Sequence, residues 1–415
     1  MTDDSNLRET GYRAKRWGID DAKASRLAEA ASEYPIMYQA LGTEPKTRHP
    51  FNLYHDIRVQ PRALTDTLVQ NERLIASIAE EMIRRGITRV VGSGLGTSQF
   101  VGQVAGHGYW KFAGIDADQV DAVEFQLYDR PYDWAKTAFF AYSGSGSTTD
   151  SNRAAQIAKE RGAYVIAFTS IADSPLTKTA NVNIVCAGGY DTGGSDTFHY
   201  TTRLAASLML ALEIGERLLP GGHDYDALKR QLRLAGQRMG EVFAQVDARC
   251  RSIAKRLQRA RAVLVVGSGP HLGTAEEIAL KFDEMCHIPA KAMCWGRHAH
   301  GALGLTDERI HTIIVAPPGE AYTRLIDIAR VTQMLKTPSV AIVAEDDEEI
   351  ASRVDDVVRL PPMDETLFGV MAILPGQLLP YYCAVELGDV NPDCQRSDIP
   401  KHARVWHMLF PPGTH

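Results

Sequence analysis

The sequence carries no excess of basic residues. Its 45 lysines and arginines are outnumbered by 51 aspartates and glutamates, which gives a formal net charge of −6. Nucleic-acid-binding proteins usually carry a basic surplus, so we expect no nucleic-acid partner. The composition is otherwise ordinary, with 45% hydrophobic and 23% charged residues, and a length of 415 residues suits two domains of usual size.

Cysteine is scarce, and the sequence contains no C-x-x-C pair of the kind that indicates a metal cluster or a redox motif. The six cysteines are Cys186, Cys250, Cys286, Cys294, Cys383 and Cys394. The N-terminal stretch MTDDSNLRETGYRAKRW has charges where a secretory signal needs an apolar core, and no apolar run looks long enough to span a membrane. These features predict a cytoplasmic protein with reduced thiols and no membrane partner.

Short β-branched runs alternate with helix-length segments along the chain, a pattern typical of parallel sheets covered by helices. In the first half, the runs that predict strands are TRVVG, AVEFQLY, TAFFAY, AYVIAF and VNIVC. In the second half they are AVLVVG, HTIIVA, SVAIVA and DVVRL, with a fifth strand not identified. The sequence therefore predicts an α/β fold with two doubly wound parallel sheets in tandem.

The two halves begin with similar glycine-rich segments. RVVGSGLGTS starts at Arg89 and LVVGSGPHLGT starts at Leu264, 175 residues later, which is a domain-sized repeat. We therefore divide the chain into five predicted segments. They are a polar N-terminal arm (1–60), a first domain (61–220), a charged helical linker (221–250), a second domain (251–390) and an irregular C-terminal tail (391–415).

A dinucleotide-binding fold is an alternative, because GSGLGTS follows a predicted strand and imitates the G-x-G-x-x-G fingerprint. Gly92 and Gly94 fit this pattern, but the third glycine, Gly96, comes one residue early. The next predicted strand ends at Asp129, too far along the chain for the usual ribose-binding acid. A tight turn from strand to helix explains such a glycine-rich segment equally well.

A dense group of hydroxyl residues follows TAFFAY and precedes the helical segment DSNRAAQIAKERG. These residues are Ser143, Ser145, Ser147 and Thr148, with glycines at 144 and 146. A helix N-terminus offers free backbone N–H groups and a positive dipole end, so this loop is a candidate anion site. Simple capping by Ser147 or Thr148 would account for one of the four hydroxyls. A P-loop nucleotide site would need a lysine, which this loop lacks.

GTS at 96–98 and SGSGSTTDS at 143–151 resemble the SIS (sugar isomerase) domain family. Two such domains in tandem resemble the isomerase half of glucosamine-6-phosphate synthase and related phosphosugar isomerases, deaminases and deglycases. The family's loop commonly reads S-x-S-G-x-T, which this sequence matches in register, and LYHDIRVQPRAL is similar to the family's E-I-x-E-Q-P segment. The resemblance covers most of the chain and implies flavodoxin-like domains. The residues that it assigns to phosphate binding are Ser98, Ser143, Ser145 and Thr148.

The helical segment TAEEIALKFDEMCH places Glu277, Lys281 and Glu284 on one face, at i, i+4 and i+7. Alone, this pattern is typical of a solvated ion-pair stripe. Aldose–ketose interconversion needs a group that opens the sugar ring and a base that moves a proton between C1 and C2. The resemblance assigns these roles to His300 and Glu284, and we assign Lys281 to substrate binding. The resemblance also implies a homodimer, because in relatives the histidine that corresponds to His300 often comes from the neighbouring subunit.

Three features depart from the family's pattern. NPDCQRSDIPKHARV offers Lys401 as the catalytic lysine of the family's mobile tail, but it lies one residue further from Arg396 than usual, and a solvated charge is the alternative. DTGGSDTFHYTT has Asp196 and Phe198 where the family often has the serine and lysine of S-T-K. Arg297 replaces a glutamate, and we assign it to substrate binding, because a second anionic group on the substrate would explain it. Surface variation explains Arg297 equally well.

The leading interpretation is an isomerase that moves a proton between C1 and C2 of a hexose 6-phosphate or a similar anionic sugar. Deamination, deglycation, sulfosugar isomerisation and a regulator without turnover remain alternatives, although the presence of Glu284 and His300 favours catalysis. Met1-Thr2 supplies no N-terminal cysteine, so we expect no glutamine-dependent amination. We expect neither a metal nor another cofactor, since dipoles and side chains suffice for this chemistry.

Overall fold

The computed structural model describes residues 46–128, 130–396 and 399–409. Its first described helix, α1 (Asn52–Arg84), buries apolar residues that recur at helical spacing. The elements of the first half follow. They are β1 (Arg89–Gly94), α2 (Thr97–Gly108), β2 (Asp116–Asp121), α3 (Ala122–Leu127), β3 (Thr137–Tyr142), α4 (Thr149–Glu160), β4 (Tyr164–Thr169), α5 (Pro175–Thr179), β5 (Val182–Val185) and α6 (Phe198–Leu218).

A second long helix, α7 (Tyr225–Leu257), leads to the second half. Its elements are β6 (Ala262–Val266), α8 (His271–Met285), β7 (Ala290–Met293), α9 (Trp295–Ala299), β8 (Ile310–Ala316), α10 (Tyr322–Leu335), β9 (Ser339–Ala344), β10 (Asp356–Leu360), α11 (Gly369–Leu387) and α12 (Pro400–Leu409). Helix α7 covers most of the predicted linker, and α1 runs through residue 60, where the arm was expected to end.

The two halves share one sheet topology. Five parallel strands lie in the order β2-β1-β3-β4-β5 in the first sheet, and β7-β6-β8-β9-β10 repeats this order in the second. This is the flavodoxin-like order of a doubly wound sheet and not the order 3-2-1-4-5-6 of a dinucleotide-binding fold. The two doubly wound parallel sheets predicted from the sequence are therefore confirmed.

The sequence-based prediction is wrong for β2, and it missed β7. AVEFQLY, predicted as a strand, forms helix α3, whereas β2 is the polar segment DADQVD just before it. Strand β7 reads AKAM. Both occupy the same edge position in their sheets, and most of their side chains are partly or fully exposed. Neither strand needs the apolar run of a central strand such as β3, whose six residues are all buried.

The acid after β2 also lies elsewhere than predicted. Strand β2 ends at Asp121, and Asp129 lies outside the described residues. The carboxylate of Asp121 accepts hydrogen bonds from the backbone N–H groups of Val123 and Glu124, over 2.8 and 3.1 Å. It caps α3. The strand order, and not the position of an acid, therefore argues against a dinucleotide site.

One hydrophobic cluster extends through both halves of the molecule. It contains residues of both sheets, such as Ile166 and Val263, together with residues of the helices between them. Helix α6, whose sequence looks amphipathic, is buried on nearly all sides along Phe198–Leu218.

Helix α8 packs against α2, and each begins after the first strand of its own sheet. The two helices run antiparallel, because Gly96 before α2 faces Leu280 near the end of α8, and Gly273 at the start of α8 faces Gln103. The carboxyl end of the first sheet therefore lies against the C-terminal half of α8.

Helix α11 is long and apolar enough to cross a membrane by length and composition, contrary to the expectation from the sequence. Within its 18-residue window of highest hydropathy, 83% is buried inside the protein. The helix packs against α7 and α8. Its apolar sequence is therefore explained by its position in the core.

The C-terminal tail contains helix α12, so its described part is less irregular than predicted. Before this helix, the carboxylate of Asp393 accepts hydrogen bonds from the first two backbone N–H groups of α1, over 3.0 and 2.8 Å. Gln395 donates to the carbonyl of Gly194. The tail therefore reaches the loop before α6. Of the predicted arm and tail, residues 1–45, 397–398 and 410–415 lie outside the described residues.

Candidate active site

The hydroxyl loop, residues 143–148, lies at the carboxyl end of β3 and leads into α4. Gly146 has a φ of 63°, and a Cβ atom there would lie 2.2 Å from Oγ of Ser174, so a side chain cannot be accommodated. The backbone N–H of Gly146 donates to Oγ of Ser143 over 3.1 Å. The loop is therefore curled tightly around its own hydroxyl groups.

Capping does not account for these hydroxyls. Thr148 is the N-cap residue of α4, but its side chain makes no capping hydrogen bond. Ser145 accepts hydrogen bonds from the backbone N–H and the hydroxyl of Ser147, over 3.3 and 2.9 Å. Ser145, Ser147 and Thr148 all keep part of their surface exposed. A helix N-terminus and a group of partly exposed hydroxyls thus lie together, as an anion site requires.

Ser98 lies at the start of α2, after β1, which is the neighbour of β3 in the sheet. Its hydroxyl accepts a hydrogen bond from the guanidinium of Arg203, a fully buried residue of α6. The same guanidinium donates to the carboxylate of Asp196 over 2.8 Å and to the carbonyl of His199 over 2.7 Å. A buried positive charge therefore lies directly behind the hydroxyl of Ser98.

His199 lies against the hydroxyl loop, since a Cβ atom on Gly144 would be only 2.5 Å from its Nδ1. That Nδ1 is 2.8 Å from a carboxylate oxygen of Asp191 and 3.1 Å from one of Asp196, and Nε2 is 2.7 Å from the carbonyl of Gly189. Carbonyls and carboxylates only accept, so both ring nitrogens carry protons. Burial disfavours the imidazolium, but the two carboxylates outweigh burial and raise the pKa of His199 to about 10.

Helix α1 holds the loop that carries Asp191 and Asp196. The carboxylate of Asp56 accepts hydrogen bonds from the backbone N–H groups of Thr192 and Gly193, over 2.7 and 2.6 Å, and from the hydroxyl of Thr192 over 2.6 Å. Burial, together with the charge of Asp191, raises the pKa of Asp56 to about 7. Part of the segment that the sequence assigned to an arm therefore positions the site.

The second repeat contributes the charged face of α8. The side chains of Glu277 and Lys281 are fully buried, and 19% of the side chain of Glu284 is exposed. Nζ of Lys281 lies 2.6 Å from Glu284, 3.4 Å from Glu277 and 3.0 Å from the hydroxyl of Thr97 in the first repeat. The contacts with Glu284 and Thr97 are hydrogen bonds, and the contact with Glu277 is an ion pair. The pattern that suggested a solvated stripe is thus a buried ion network.

Burial sets the proton affinities of this network. It raises the pKa of Glu277 to about 7 against the attraction of Lys281, and it raises the pKa of Glu284 against the same attraction. Burial opposes the ammonium of Lys281, but the carboxylates of Glu277 and Glu284 outweigh it and raise the pKa of this lysine. A carboxylate of raised pKa beside a permanent cation can accept and return a proton near neutrality.

Ser195 and Asp196 join the two parts of the site. Ser195 lowers and the charge of Asp196 raises the pKa of Glu284, and Asp196 also raises the pKa of Lys281. On its other side, Asp196 accepts the hydrogen bond from Arg203, and 33% of its side chain is exposed. Hydrogen bonds therefore lead from Ser98 through Arg203 to Asp196, and the charge of Asp196 reaches Glu284.

Three predicted site residues lie apart from these contacts. His300 follows α9 and is exposed, and no hydrogen bond or ion pair within the described part of the chain joins it to Glu284. Arg297 lies on α9, where its charge acts on Glu276. Lys401 lies exposed in α12. Within one chain, the structure thus brings together the residues of the loops and of α8, and it leaves these three outside the group.

The second repeat has an equivalent turn between β8 and α10, but a carboxylate of the chain occupies it. Glu365 accepts hydrogen bonds from the backbone N–H groups of Glu320 and Ala321, over 3.1 and 3.5 Å. A Cβ atom on Gly319 would lie 2.2 Å from Glu365. The backbone N–H groups of this turn are bound by serine hydroxyls in the first repeat and by a carboxylate in the second.

One group of side chains has the spacing of a metal site. Single ligand atoms of Asp191, Asp196 and His199 all lie within 4.8 Å of one another. A histidine ligand must offer a nitrogen lone pair, whereas both ring nitrogens of His199 donate hydrogen bonds here. The imidazolium itself is the cation between the two carboxylates, so this arrangement does not fit a bound metal ion.

The sequence interpretation missed Arg203, His199 and Asp191, and it treated Asp196 only as a departure from the family's pattern. A signal was present, because Asp196, His199 and Arg203 follow at i, i+3 and i+7 and share one side of the start of α6. Between Arg203 and Glu213, α6 is apolar apart from Ser207. A charged residue in an apolar helix is costly unless it is paired, so the spacing of opposite charges could have identified the network.

Comparison with known proteins places this architecture in a family. The SIS domain model matches residues 85–213 and 256–387, one match in each repeat. The isomerizing glutamine–fructose-6-phosphate aminotransferase of Thermococcus kodakarensis is 29% identical over 354 residues, which are 85% of this chain and 58% of the relative. The chain therefore spans little more than half the length of that relative.

Two solved structures share the fold. The tagatose-6-phosphate ketose/aldose isomerase from Escherichia coli superposes with a TM-score of 0.72 at 18% identity, covering 85% of this chain and 97% of that one. The glucosamine-6-phosphate deaminase from Thermotoga maritima has a TM-score of 0.65 at 17% identity, covering 82% of this chain and 96% of that one. Because the family model matches both repeats and most of the chain, the protein belongs to the SIS domain family.

Proposed function

We propose that the protein is an enzyme that binds a sugar phosphate and moves a proton between C1 and C2 of its open-chain form. The observation that carries this proposal is the hydrogen-bonded path from Thr97, next to Ser98, through Lys281 to Glu284. It connects a candidate anion site in one repeat with a buried carboxylate in the other. A hexose phosphate held at its terminal phosphate would extend toward that carboxylate.

The anion site would consist of Ser98 and the hydroxyl loop. Ser143, Ser145 and Thr148 would donate to phosphate oxygens together with the backbone N–H groups at the start of α4. The charges of Arg203 and His199 lie behind these donors. Hydroxyl donors backed by buried cations would bind an anion reversibly, because they place no ammonium or guanidinium directly on it.

Proton transfer would be performed by Glu284. Its raised pKa and partial exposure suit a base that takes a proton from one carbon and returns it to the next. The adjacent ammonium of Lys281 would stabilise the negative charge that develops on the sugar oxygens during this transfer. Because its side chain is fully buried, Lys281 would contribute to substrate binding through its charge.

His300 would open the sugar ring. It lies exposed on this chain, which suits a role in the site of a second copy, and a homodimer is therefore part of the proposal. We further propose that Lys401 contacts the open-chain sugar and that Arg297 accommodates a second anionic group. A cytoplasmic location would suit an enzyme that acts on phosphorylated sugars.

Aldose–ketose isomerisation is the simplest outcome of this chemistry. If the substrate carries nitrogen at C1 or C2, the same proton transfer leads to deamination or deglycation, and a sulfonate would replace the phosphate in a sulfosugar. The names of the relatives include an aminotransferase, an isomerase and a deaminase, which together favour a phosphosugar. A regulator without turnover is less well supported, because it would not need the buried pair of Lys281 and Glu284.

The proposal is tested by proton NMR in D2O with hexose 6-phosphates, amino-sugar phosphates, fructosamine phosphates and sulfoquinovose. We expect deuterium to enter at C1 or C2 of one compound with the wild type and not with Glu284→Gln. Glu160→Gln, an exposed change at the end of α4, is the matched control and should retain exchange. Binding without exchange for every compound would overturn the proposal in favour of a regulator.

A further inference from the structure

We propose that Gln395, a residue of the C-terminal tail, is a positioning residue of the anion site. The inference rests on the proposed function, because it concerns the affinity of that site for a phosphate. Gln395 would act through the loop before α6 (191–197), which carries the carboxylate that holds Arg203 against Ser98. The tail would thus contribute to phosphate binding through Gln395, separately from any contact that Lys401 makes with the sugar.

The side-chain amide of Gln395 contacts two consecutive residues of this loop. Its Nε2 donates to the carbonyl of Gly194 and, over 3.3 Å, to the hydroxyl oxygen of Ser195. One amide group of the tail thus holds a backbone carbonyl and the side chain that follows it. Because Ser195 is almost fully buried, water has little access to this contact. The tail therefore fixes the middle of the loop.

The loop is held in sequence by partners from other parts of the fold. Asp56 on α1 binds the first part, at the backbone N–H groups of residues 192 and 193, and Gln395 binds the next two residues. Asp196 follows directly, and its carboxylate accepts a hydrogen bond from Arg203 over 2.8 Å. Loss of the amide of Gln395 would release the two residues before Asp196, so this carboxylate could shift.

Arg203 transmits a shift of Asp196 to the anion site, because its guanidinium is planar and rigid. One nitrogen donates to Asp196 over 2.8 Å, a second donates to the hydroxyl of Ser98, and Nε donates to the carbonyl of His199 over 2.7 Å. The bond from Arg203 uses a lone pair of Ser98 and leaves its hydroxyl hydrogen available for a phosphate oxygen. The position of Asp196 therefore sets the direction in which Ser98 donates.

The backbone of the tail has an unusual conformation at this point. Gln395 and Arg396 have φ values of 45° and 60°, so two consecutive residues with side chains occupy the left-handed region. Such a conformation costs free energy and persists only where the surrounding contacts hold it. Just before it, the fully buried carboxylate of Asp393 caps α1 with two hydrogen bonds. The tail is thus anchored to the body of the protein immediately before the residue that reaches the loop.

Glucitol 6-phosphate tests this inference because it lacks a carbonyl group and cannot react, and inorganic phosphate is the second probe. Calorimetry would compare the Kd of both probes for the wild type, Gln395→Met and Gln395→Glu, which keep the length of the side chain and remove its amide donor. We expect both variants to bind each probe about fivefold more weakly, within the range for one lost hydrogen bond.

Gln70→Met is the matched control. It removes the same kind of bond, from a glutamine amide to the carbonyl of Val185 over 2.7 Å, at the end of β5 and not in the loop. Both affinities should be unchanged in this variant. A Gln395→Met protein that is less stable in urea but binds both probes as the wild type does would overturn the inference, because the amide would then only tie the tail to the fold.

A double-mutant cycle shows whether Gln395 acts through Ser98. Ser98→Ala removes the hydroxyl that Arg203 orients and should itself weaken binding. In that background, Gln395→Met should change the affinities less than twofold, because the group that it positions is gone. A fivefold loss both with and without the hydroxyl of Ser98 would contradict the inference.

The same cycle with Gln395→Glu decides the question if Gln395→Met does not fold. An effect of the added charge alone would persist in the Ser98→Ala background, whereas an effect of positioning would disappear. A different result would identify a failure of the proposed function. If the wild type binds neither probe, or if Ser98→Ala binds both as tightly as the wild type, the proposed anion site fails, and the inference about Gln395 fails with it.

Discussion

Nζ of Lys281 lies 3.0 Å from the hydroxyl of Thr97, and this buried hydrogen bond joins the two repeats where α2 packs against α8. Thr97 begins α2 beside Ser98, whereas Lys281 lies within α8 and is bonded to Glu284. A side chain of the first repeat therefore holds the cation that contacts the proposed base in the second.

Replacing Thr97 with valine should slow proton transfer. The substitution leaves one hydrogen of Lys281 without an acceptor in a buried position, so the ammonium is no longer fixed against Glu284. We expect the rate of deuterium exchange to fall about tenfold, the effect of losing one hydrogen bond to a charged group. Thr97→Ser keeps the hydroxyl and should retain most of the rate. Equal rates for the valine variant and the wild type would argue against this role.

Replacing Arg203 with methionine should destabilise the fold. It removes the guanidinium from a fully buried position and leaves Asp196 with one fewer partner. Breaking a buried ion pair costs about 3–5 kcal/mol of unfolding free energy, and the remaining contact with His199 places this variant at the lower end. Urea unfolding would measure the loss. Arg203→Met combined with Asp196→Asn should recover part of it, and a more severe loss in the double variant would contradict this account.

Stability should decline with rising pH because of His199. The pKa of this imidazole is raised from 6.5 to about 10 on folding, so its contribution is complete below pH 6.5 and is lost as the pH approaches 10. Between pH 7 and 8.5 the folded state keeps a proton that the unfolded state has released. The free energy of unfolding should therefore fall by roughly 1 kcal/mol per pH unit from this group.

Urea unfolding of the wild type and His199→Gln at several pH values in this range would isolate that contribution. Glu277 and Asp56, whose pKa values are raised to about 7, add a smaller decline of the same sign near pH 7 in both proteins. The difference between the two slopes of unfolding free energy against pH gives the contribution of His199. A wild-type slope equal to that of the variant would show that the imidazole is neutral in the folded protein.

Catalysis should survive the removal of metal ions. His199 completes the group of side chains that is spaced for a metal, and both of its ring nitrogens are occupied as donors. We therefore expect dialysis against a chelator to leave the rate of deuterium exchange unchanged. The opposite result would be a rate that falls on dialysis, recovers with one divalent ion, and shows no such metal dependence in His199→Gln. It would mean that a metal displaces the proton of the imidazolium.

The central strands and the loops were predictable from the sequence because their signals are local. A strand such as β3 is buried on both faces and shows a continuous apolar run, and the hydroxyl loop follows it directly. The edge strand β2 is polar, and its neighbour α3 buries only Ala122 and Phe125. A half-exposed edge strand carries little information in its own residues, which explains why β2 and β7 were not identified.

Sequence spacing reveals only part of the charged network behind the anion site. Asp56 lies far from Asp191 in the sequence and on a different element, so its role is explained only by the loop that folding brings to it. The same holds for Lys281, whose pairing with Glu284 is visible in the sequence while its bond to Thr97 is not. Sequence spacing reveals partners within one helix, whereas contacts between elements depend on the tertiary fold.

The carboxylate of Glu365 has a consequence for binding stoichiometry. Glu365 accepts hydrogen bonds from the backbone N–H groups of Glu320 and Ala321, so it acts as an internal ligand of the second repeat. A duplicated fold would otherwise present two equivalent sites for small anions on each chain. In this protein the turn of the second repeat is already occupied by its own carboxylate. A single chain should therefore saturate with one equivalent of sugar phosphate. Further sites would come from the association of chains and not from the duplication within one chain.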